Sequence, residues 1–224
     1  MNSRQINVYR DLMGENEKWA EDTRGVLKER NLTMLNLIGS PGSGKTTILE
    51  NMVRLLGDRF KFAVLEGDVE TTKDAERLAA LDIPVSQLIT SGACHLEAKL
   101  VNAALKDLPL DEVDIVFVEN VGNLVCPAEF DVGEHAKVAV LSVTEGEDKP
   151  IKYPLLFQES KAAVLSKTDL LPYLPFQIEA CREYLRQVNG NLPIFEVSAT
   201  KDDGMAAWID WVADMARPRT AVEA

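Results

Sequence analysis

Short apolar runs without polar alternation recur along the chain, separated by longer and more polar segments. Such runs are typical of strands that are buried on both faces, as in a parallel sheet covered by helices. The pattern predicts strands at 33–39, 61–66, 114–119, 137–143, 162–166 and 193–198, with a further short apolar run at 87–90.

Most segments between these runs place their apolar residues on one helical face. The pattern predicts helices at 44–56, 72–81, 94–106, 175–189 and 204–216. Residues 1–30 are predicted to form a helical N-terminal arm that is broken at Gly14, because glycine disfavours a helix interior. The alternation of strands and helices predicts an α/β fold with a mostly parallel sheet and helices on both faces.

Composition and charge exclude several classes of function. Lysine plus arginine number 24 against 36 for aspartate plus glutamate, so the net charge is −12. A chain this acidic repels nucleic acids and anionic membranes unless it has a basic patch, and its cations are scattered. We find neither a run of about 18 apolar residues nor an apolar signal core. We therefore expect a cytoplasmic protein with reduced cysteines, no nucleic-acid partner and no membrane partner.

Residues 39–46, GSPGSGKT, match the phosphate-binding pattern G-x-x-x-x-G-K-[ST] in full. The match lies between a predicted strand and a predicted helix, where backbone N–H groups and the helix dipole favour phosphate. We expect Lys45 to reach the β- and γ-phosphates and Thr46 to ligate Mg²⁺. The predicted nucleotide contacts here are Gly39, Gly42, Ser43, Gly44, Lys45, Thr46 and Thr47. The domain prediction is the arm at 1–30 followed by a P-loop domain at 31–224, forming one domain overall.

Two acidic residues end predicted strands and are candidates for the catalytic centre. Glu119 ends the strand at 114–119, where a P-loop protein places a second Mg²⁺ contact. Gly122, three residues on, would let the backbone approach the γ-phosphate. Asp68 follows the strand at 61–66 and is a second candidate near the metal and the attacking water. For both acids, a simple carboxylate at the end of a strand is the alternative.

Base recognition is predicted from two short motifs after later strands. Ser166-Lys167-Thr168-Asp169 resembles the N-K-x-D loop of GTPases, with Ser in place of Asn. The Asp169 carboxylate can accept from guanine N1–H and N2–H, a donor pair that adenine lacks, while the Lys167 stem covers the purine. Ser198 and Ala199 resemble the S-A-x loop whose backbone contacts guanine O6. Together the motifs favour GTP over ATP.

Cys94, His95 and Cys126 form a second candidate site. Thiolate and imidazole suit Zn²⁺ or Ni²⁺, and a helix beginning near Cys94 would lower the pKa of its thiol. By spacing alone, a buried thiol and a surface histidine remain the simpler alternatives. However, Cys126 closely follows the segment expected to sense the γ-phosphate. Cys181 lies on a predicted amphipathic helix and is expected to be core filler; His135 is assigned no role.

Seven stretches of the chain together resemble the HypB family of hydrogenase nickel-incorporation GTPases. They are GSPGSGKT (39–46), EGDVETTKDAERL (66–78), GACHLEAKLV (92–101), VFVENVGNLVCP (116–127), SVTEGEDKPIKYP (142–154), LSKTDLLPY (165–173) and VSATKDDGMAAW (197–208). They follow the family's order from residue 39 toward the C-terminus, and the combination of ENVGNLVCP with CHL is specific.

The resemblance implies a SIMIBI-class GTPase that forms a homodimer on GTP and assists nickel delivery to the hydrogenase large subunit with a maturation partner. It implies that Cys94, His95 and Cys126 bind nickel or zinc at the dimer interface, and that Lys149 contacts nucleotide across it. The given sequence contains neither the family's CxxCGC nickel motif nor a His-rich stretch, so tight nickel storage is not expected. Ser166 in place of Asn is expected to loosen the base loop.

Three alternatives remain open from the sequence. A urease nickel-insertion GTPase would carry a Cys-Pro-His arrangement, whereas Cys94 and His95 are adjacent here. A small-molecule P-loop kinase would need a substrate pocket and an arginine-rich lid, which the sequence does not indicate. A non-catalytic metal-binding switch would show negligible hydrolysis even with its partner present.

Overall fold

The computed structural model describes residues 3–68, 72–90 and 92–216, with side chains from residue 13 onward. Seven parallel strands form one sheet in the order β3-β2-β4-β1-β5-β6-β7. The strands are β1 (Thr33–Gly39), β2 (Phe62–Asp68), β3 (Val85–Ile89), β4 (Ile115–Glu119), β5 (Ala136–Ser142), β6 (Ser160–Ser166) and β7 (Ile194–Glu196). The parallel sheet that the apolar runs predicted is confirmed, and the run at 87–90 lies in β3.

Helices cover both faces of this sheet, as predicted. They are α1 (Ser3–Glu29), α2 (Lys45–Leu56), α3 (Lys73–Ala79), α4 (Ala98–Leu105), α5 (Cys126–Glu129), α6 (Lys149–Lys152), α7 (Pro154–Glu159), α8 (Ile178–Val188) and α9 (Met205–Met215). Two 3₁₀ turns lie at Leu110–Glu112 and Thr168–Tyr173.

Alternate residues of β1 face different helical layers, as the two-residue period of a strand requires. Leu35 and Leu37 belong to the core beneath α2, α3 and α9, which includes the fully buried Trp208. Met34 packs with α1 and α4 on the other face, and Ile38 packs there with α7 and α8. The double layer explains why β1 and β4 are buried along their whole lengths.

Two helix predictions were wrong. Helix α1 continues through Gly14, because contacts with the rest of the chain outweigh the roughly 1 kcal/mol helix penalty of one glycine. Asn16 donates to the carbonyl of Asp131 at 2.7 Å and accepts from Ala98 N–H at 2.9 Å. The helix predicted from residue 94 begins only at Ala98, because Glu97 has extended backbone angles of φ −91° and ψ 150°.

No helix in the described part of the chain is both long enough and apolar enough to span a membrane. The carboxyl ends of β1, β2, β4 and β6 lie at one edge of the sheet, where the connections to α2, α3 and α5 begin. In open α/β sheets, ligands bind at this edge, next to the strand where the chain order reverses. Here that strand is β1, which leads directly into the phosphate-binding motif.

Candidate functional site

The phosphate-binding motif forms a tight turn between β1 and α2. Gly42 and Gly44 have φ values of +73° and +96°, a region that glycine enters without strain. A Cβ on Gly39 would lie 2.4 Å from the carbonyl oxygen of Val140, so the turn also needs glycine where it leaves the sheet. The turn leads directly into the N-terminus of α2, a favourable position for phosphate.

Lys45 lies inside this turn with only 6% of its surface exposed. Its ammonium nitrogen lies 3.4 Å from the carbonyl oxygen of Gly39 and 3.5 Å from that of Ser40. Burial lowers the pKa of Lys45, although the carboxylate of Glu119 opposes this effect. A buried ammonium whose contacts to these carbonyls are long is well suited to an incoming phosphate anion.

Two buried carboxyl groups meet beside Thr46. Thr46 Oγ1 donates to Glu119 Oε1 at 2.8 Å, and Glu66 pairs in register with Glu119 across β2 and β4. Burial raises the pKa of Glu119 to about 7, while burial and the nearby Glu119 raise that of Glu66 to about 8. Each carboxyl has one buried oxygen that lacks a hydrogen-bond partner among the described residues. Oxygen ligands of this kind fit Mg²⁺.

A cavity of about 400 Å³ joins the phosphate turn to these carboxyl groups. Asp68, at the end of β2, lines it together with Lys45, Thr46, Thr47 and Lys167. The structure therefore brings most of the predicted phosphate residues and both predicted acids to one cavity, whereas Gly39 and Ser43 do not line it. Their catalytic and metal-binding roles stay predictions.

The segment after β4 packs directly against the phosphate turn. A Cβ on Gly122 would lie 2.7 Å from the ring of Pro41 and 2.8 Å from its backbone nitrogen. The backbone N–H of Asn123 donates to the carbonyl of Gly39 at 3.0 Å. Gly122 therefore lies at the cavity wall with its backbone close to the turn, which only glycine allows.

The predicted base loops form a second, smaller cavity of about 180 Å³ beside the phosphate turn. Asp169 and Ala199 line it together with Lys167, and Ser198 Oγ donates to Asp169 Oδ1 at 2.6 Å. Lys167 has a left-handed φ of 60°, and its Nζ donates to the carbonyl of Gly42 at 2.6 Å. Ser166 Oγ donates to the carbonyl of Ser43 at 2.5 Å, so this serine still ties the base loop to the phosphate turn.

Cys94, His95 and Cys126 come together, and their ligand atoms all lie within 4.8 Å of one another. Cys94 Sγ is 3.7 Å from His95 Nδ1. The His95 ring stacks on Phe130 with centroids 3.9 Å apart, and its buried Nε2 has no hydrogen-bond partner among the described residues. Burial lowers the pKa of His95, which favours the neutral imidazole that binds metals.

The local setting of Cys94 differs from the predicted one. Because α4 begins at Ala98, Cys94 lies in a loop and not at a helix N-terminus. A hydrogen bond with the thiol of Cys126, together with burial, raises the pKa of Cys94. The prediction of a lowered pKa for the Cys94 thiol was therefore wrong.

One asparagine connects the cluster to the phosphate turn. The backbone N–H of Asn123 binds Gly39, and its side-chain Nδ2 donates to the carbonyl of Cys94 at 3.1 Å. Asn120 joins the loop of the cluster to the same segment, since its Oδ1 accepts from Leu96 N–H at 3.2 Å and from Val121 N–H at 3.0 Å. The segment 120–126 is thus in contact with both candidate sites.

Sequence reasoning missed three charged residues of the phosphate cavity, namely Glu66, Asp74 and Arg77. Glu66 lies two residues before Asp68 on β2, and the two-residue period of a strand could have indicated it. Arg77 on α3 also lines the cavity and donates to Glu50, Asp74 and Thr47. No motif marks Arg77, because it reaches the cavity only through the packing of α3 beside α2.

Three further residues lie away from these cavities. Cys181 is fully buried among apolar residues under α8, as predicted for core filler, and burial raises its pKa to about 12. His135 Nδ1 accepts from Met34 N–H at 3.1 Å, a contact beside β1. Lys149 lies over the ring of Tyr153 at 5.2 Å, and the contact predicted for it across a dimer stays a prediction.

Comparisons with known proteins agree with this geometry. The family model described as CobW/HypB/UreG, nucleotide-binding domain, matches residues 33–196. The hydrogenase maturation factor HypB of Azotobacter vinelandii is 48% identical over 210 residues, covering 94% of this chain and 69% of that protein. The hydrogenase/urease maturation factor HypB of Helicobacter hepaticus is 38% identical, covering 95% of this chain and 88% of that protein.

A solved structure extends the similarity to the fold. The crystal structure of HypB from Helicobacter pylori in complex with nickel superimposes with a TM-score of 0.86 at 34% identity. The match covers 93% of this chain and the whole of that one. These findings show that the chain belongs to the CobW/HypB/UreG family of nucleotide-binding proteins and, within it, to the hydrogenase maturation factors HypB.

Proposed function

We propose that this chain is a GTPase that binds a nickel or zinc ion and uses GTP-dependent dimerisation to assist nickel delivery during [NiFe]-hydrogenase maturation. The observation that carries the proposal is the pair of contacts made by Asn123, to Gly39 in the phosphate turn and to Cys94 in the thiol cluster. A change at the γ-phosphate and a change at the cluster would both act on the segment 120–126, which contains Asn123. The nickel-bound structure of a close relative supports nickel as the cargo.

The nucleotide would bind along one edge of the sheet, with its base and phosphates in the two cavities. The backbone N–H groups of the turn and Lys45 would hold the phosphates, and Asp169 with Ala199 would recognise guanine. Mg²⁺ would supply charge neutralisation at the phosphates. Thr46 and Glu119 would hold it, with Asp68 near the metal and the attacking water.

Intrinsic hydrolysis is expected to be slow, on the order of 10⁻³ s⁻¹, as in GTPases without their activator. The segment 119–124, ENVGNL, contains no glutamine to orient water. Arg77, the arginine in the phosphate cavity, is already paired with Glu50 and Asp74. The protein would therefore act as a timer whose state lasts for minutes, rather than as a metabolic enzyme.

The metal would be cargo held by the Cys94, His95 and Cys126 side chains. Three ligands leave a tetrahedral site incomplete, which favours completion by water or by a second chain. A homodimer that shares the site would link metal occupancy to GTP. A hydrogenase maturation partner and the hydrogenase large subunit would then receive the metal. We also propose that the arm at 1–30 and the P-loop region at 31–224 act as one domain.

The test is a metal titration of the purified chain in two nucleotide states. Nickel and zinc are titrated with GDP bound and with a non-hydrolysable GTP analogue bound, while light scattering follows the oligomeric state. We expect affinity to change at least about 5-fold between the states, with dimers favoured by the analogue. Equal affinities and an unchanged monomer in both states would contradict the coupled mechanism.

A second candidate function is nickel delivery to urease as well as to hydrogenase. It is favoured by one observation, namely that the Helicobacter hepaticus relative is called a hydrogenase/urease maturation factor. Nickel transfer from the loaded chain to the apo forms of each enzyme, followed by enzyme activity, would separate the two roles.

A further inference from the structure

The loop after β7 is held at two points by one side chain of α2. Asn51 Nδ2 donates to the carbonyl oxygen of Ala199 and to Oδ1 of Asp202, each at 2.6 Å. Both partners are acceptors, so hydrogen bonding requires the amide nitrogen to face them. Asn51 is 5% exposed, which shields these bonds from competing water.

The base of the same loop is closed without Asn51. Ser198 and Asp203 exchange backbone hydrogen bonds of 2.9 and 3.2 Å, and the hydroxyl of Ser198 binds Asp169. Asp169 is therefore supported through Ser198, whereas Ala199, the next residue of the loop, is supported through Asn51. Different elements support the two halves of the cavity that Asp169 and Ala199 line.

We propose that Asn51 is a positioning residue for purine recognition, which fixes the Ala199 backbone against the 6-oxo group of guanine. This inference rests on the proposed function, because it requires guanine to occupy the cavity beside Asp169. A backbone N–H held in place favours an acceptor at purine position 6 and disfavours the amino group of adenine. Asn51 would thus contribute to specificity through Ala199 without contacting the nucleotide.

Changes at single positions of the purine test the separate roles of Asp169 and Ala199. IDP lacks only the 2-amino group that Asp169 would bind, and 6-thio-GDP replaces O6 by sulfur, a weak acceptor. Calorimetry gives the affinities of GDP, IDP and 6-thio-GDP for the full chain and for Asn51→Ala. We expect Asn51→Ala to lower the preference for GDP over 6-thio-GDP about 5-fold and to change the preference over IDP by less than about 2-fold.

Two further variants make the test specific. Arg54→Ala removes the ion pair with Asp202 but leaves the hydrogen bond from Asn51 to Ala199. Its preferences for GDP over 6-thio-GDP and for GDP over IDP should therefore equal those of the unchanged chain. Asn51→Asp keeps the shape of the side chain and puts acceptors opposite the acceptors of the loop. Asn51→Asp should lower the preference for GDP over 6-thio-GDP at least as much as Asn51→Ala does. It therefore still tests the role of Asn51 if the alanine variant fails to fold.

The outcomes separate this inference from the proposed function. An unchanged chain that binds GDP and IDP equally would contradict the guanine site itself. An unchanged chain that prefers GDP over IDP but not over 6-thio-GDP would overturn the role of Ala199, and with it that of Asn51. Unaltered preferences in both Asn51 variants would overturn the inference alone. An equal loss of both preferences would indicate general loosening of the cavity and would overturn it too.

Discussion

The phosphate turn and the Cys–His cluster are both in contact with the segment 120–126, yet they are built differently. The phosphate turn is one stretch, residues 39–46, whose shape follows from its own glycines and from the strand and helix at its ends. The cluster takes Cys94 and His95 from the loop before α4 and Cys126 from the first residue of α5. One site is local in sequence, and the other exists only after folding.

This difference determines how each site responds to change. A local turn keeps its geometry as long as β1 and α2 pack, whereas the cluster depends on contacts between loops, such as the bond from Asn123 to Cys94. Changes within either site should abolish its own binding and spare that of the other. Changes in the connecting segment should leave both sites intact and weaken the coupling between them.

The largest effect is expected from Lys45→Ala. Loss of the buried ammonium removes charge stabilisation at the phosphates, and we expect kcat for GTP hydrolysis to fall by about 100–1000-fold. Phosphate release measures the rate, with the exposed Lys106→Ala as a charge-matched control. Nickel affinity in the GDP state should not change; a parallel loss would show that the two sites are not built independently.

The double variant Cys94→Ala, Cys126→Ala should weaken nickel binding by at least about 100-fold, because it removes two of three ligands. GDP affinity should stay within about 2-fold, since these two sites are not in direct contact. Calorimetry measures both, with Cys181→Ala as the control for loss of a buried thiol. Retained nickel binding in the double variant would rule out this cluster as the metal site.

Asp169→Asn should lower GTP affinity by about 10–100-fold, because hydrogen bonds to a charged acceptor are lost. Xanthine nucleotides, which present an acceptor at position 2, should gain affinity. A competition assay of GTP against XTP measures the change, and the exposed Asp107→Asn serves as a control. An unaltered preference for GTP would argue against Asp169 as the residue that recognises the base.

The smallest effect is expected from Asn123→Ala, which cuts the side-chain bond to Cys94 and keeps the backbone bond to Gly39. The difference in metal affinity between the GDP and GTP-analogue states should fall from about 5-fold to less than about 2-fold. Metal titration in the two states measures it, and the exposed Asn191→Ala is the matched control. Cys126→Ala should remove the difference altogether while leaving GDP binding nearly intact.

Local patterns predicted the elements of this fold well where burial was uniform. The largely apolar runs of β1 and β4 predicted strands of a sheet covered on both faces, and the structure confirms them. Predictions failed where one residue type was given too much weight. Gly14 predicts a helix break, but the contacts of Asn16 with Asp131 and Ala98, distant in the sequence, hold α1 in place.

The candidate sites show the same difference between features set by local sequence and features set by contacts between distant residues. The sequence by itself determined the phosphate turn, because GSPGSGKT specifies a backbone shape and a buried ammonium within eight adjacent positions. Tertiary structure alone decided that Glu66 would face Glu119, that Arg77 would reach the phosphate cavity, and that Asn51 would support Ala199. The physical reason is that these contacts depend on strand order and helix packing, which bring together residues 27 to 148 positions apart and leave no local pattern in the chain.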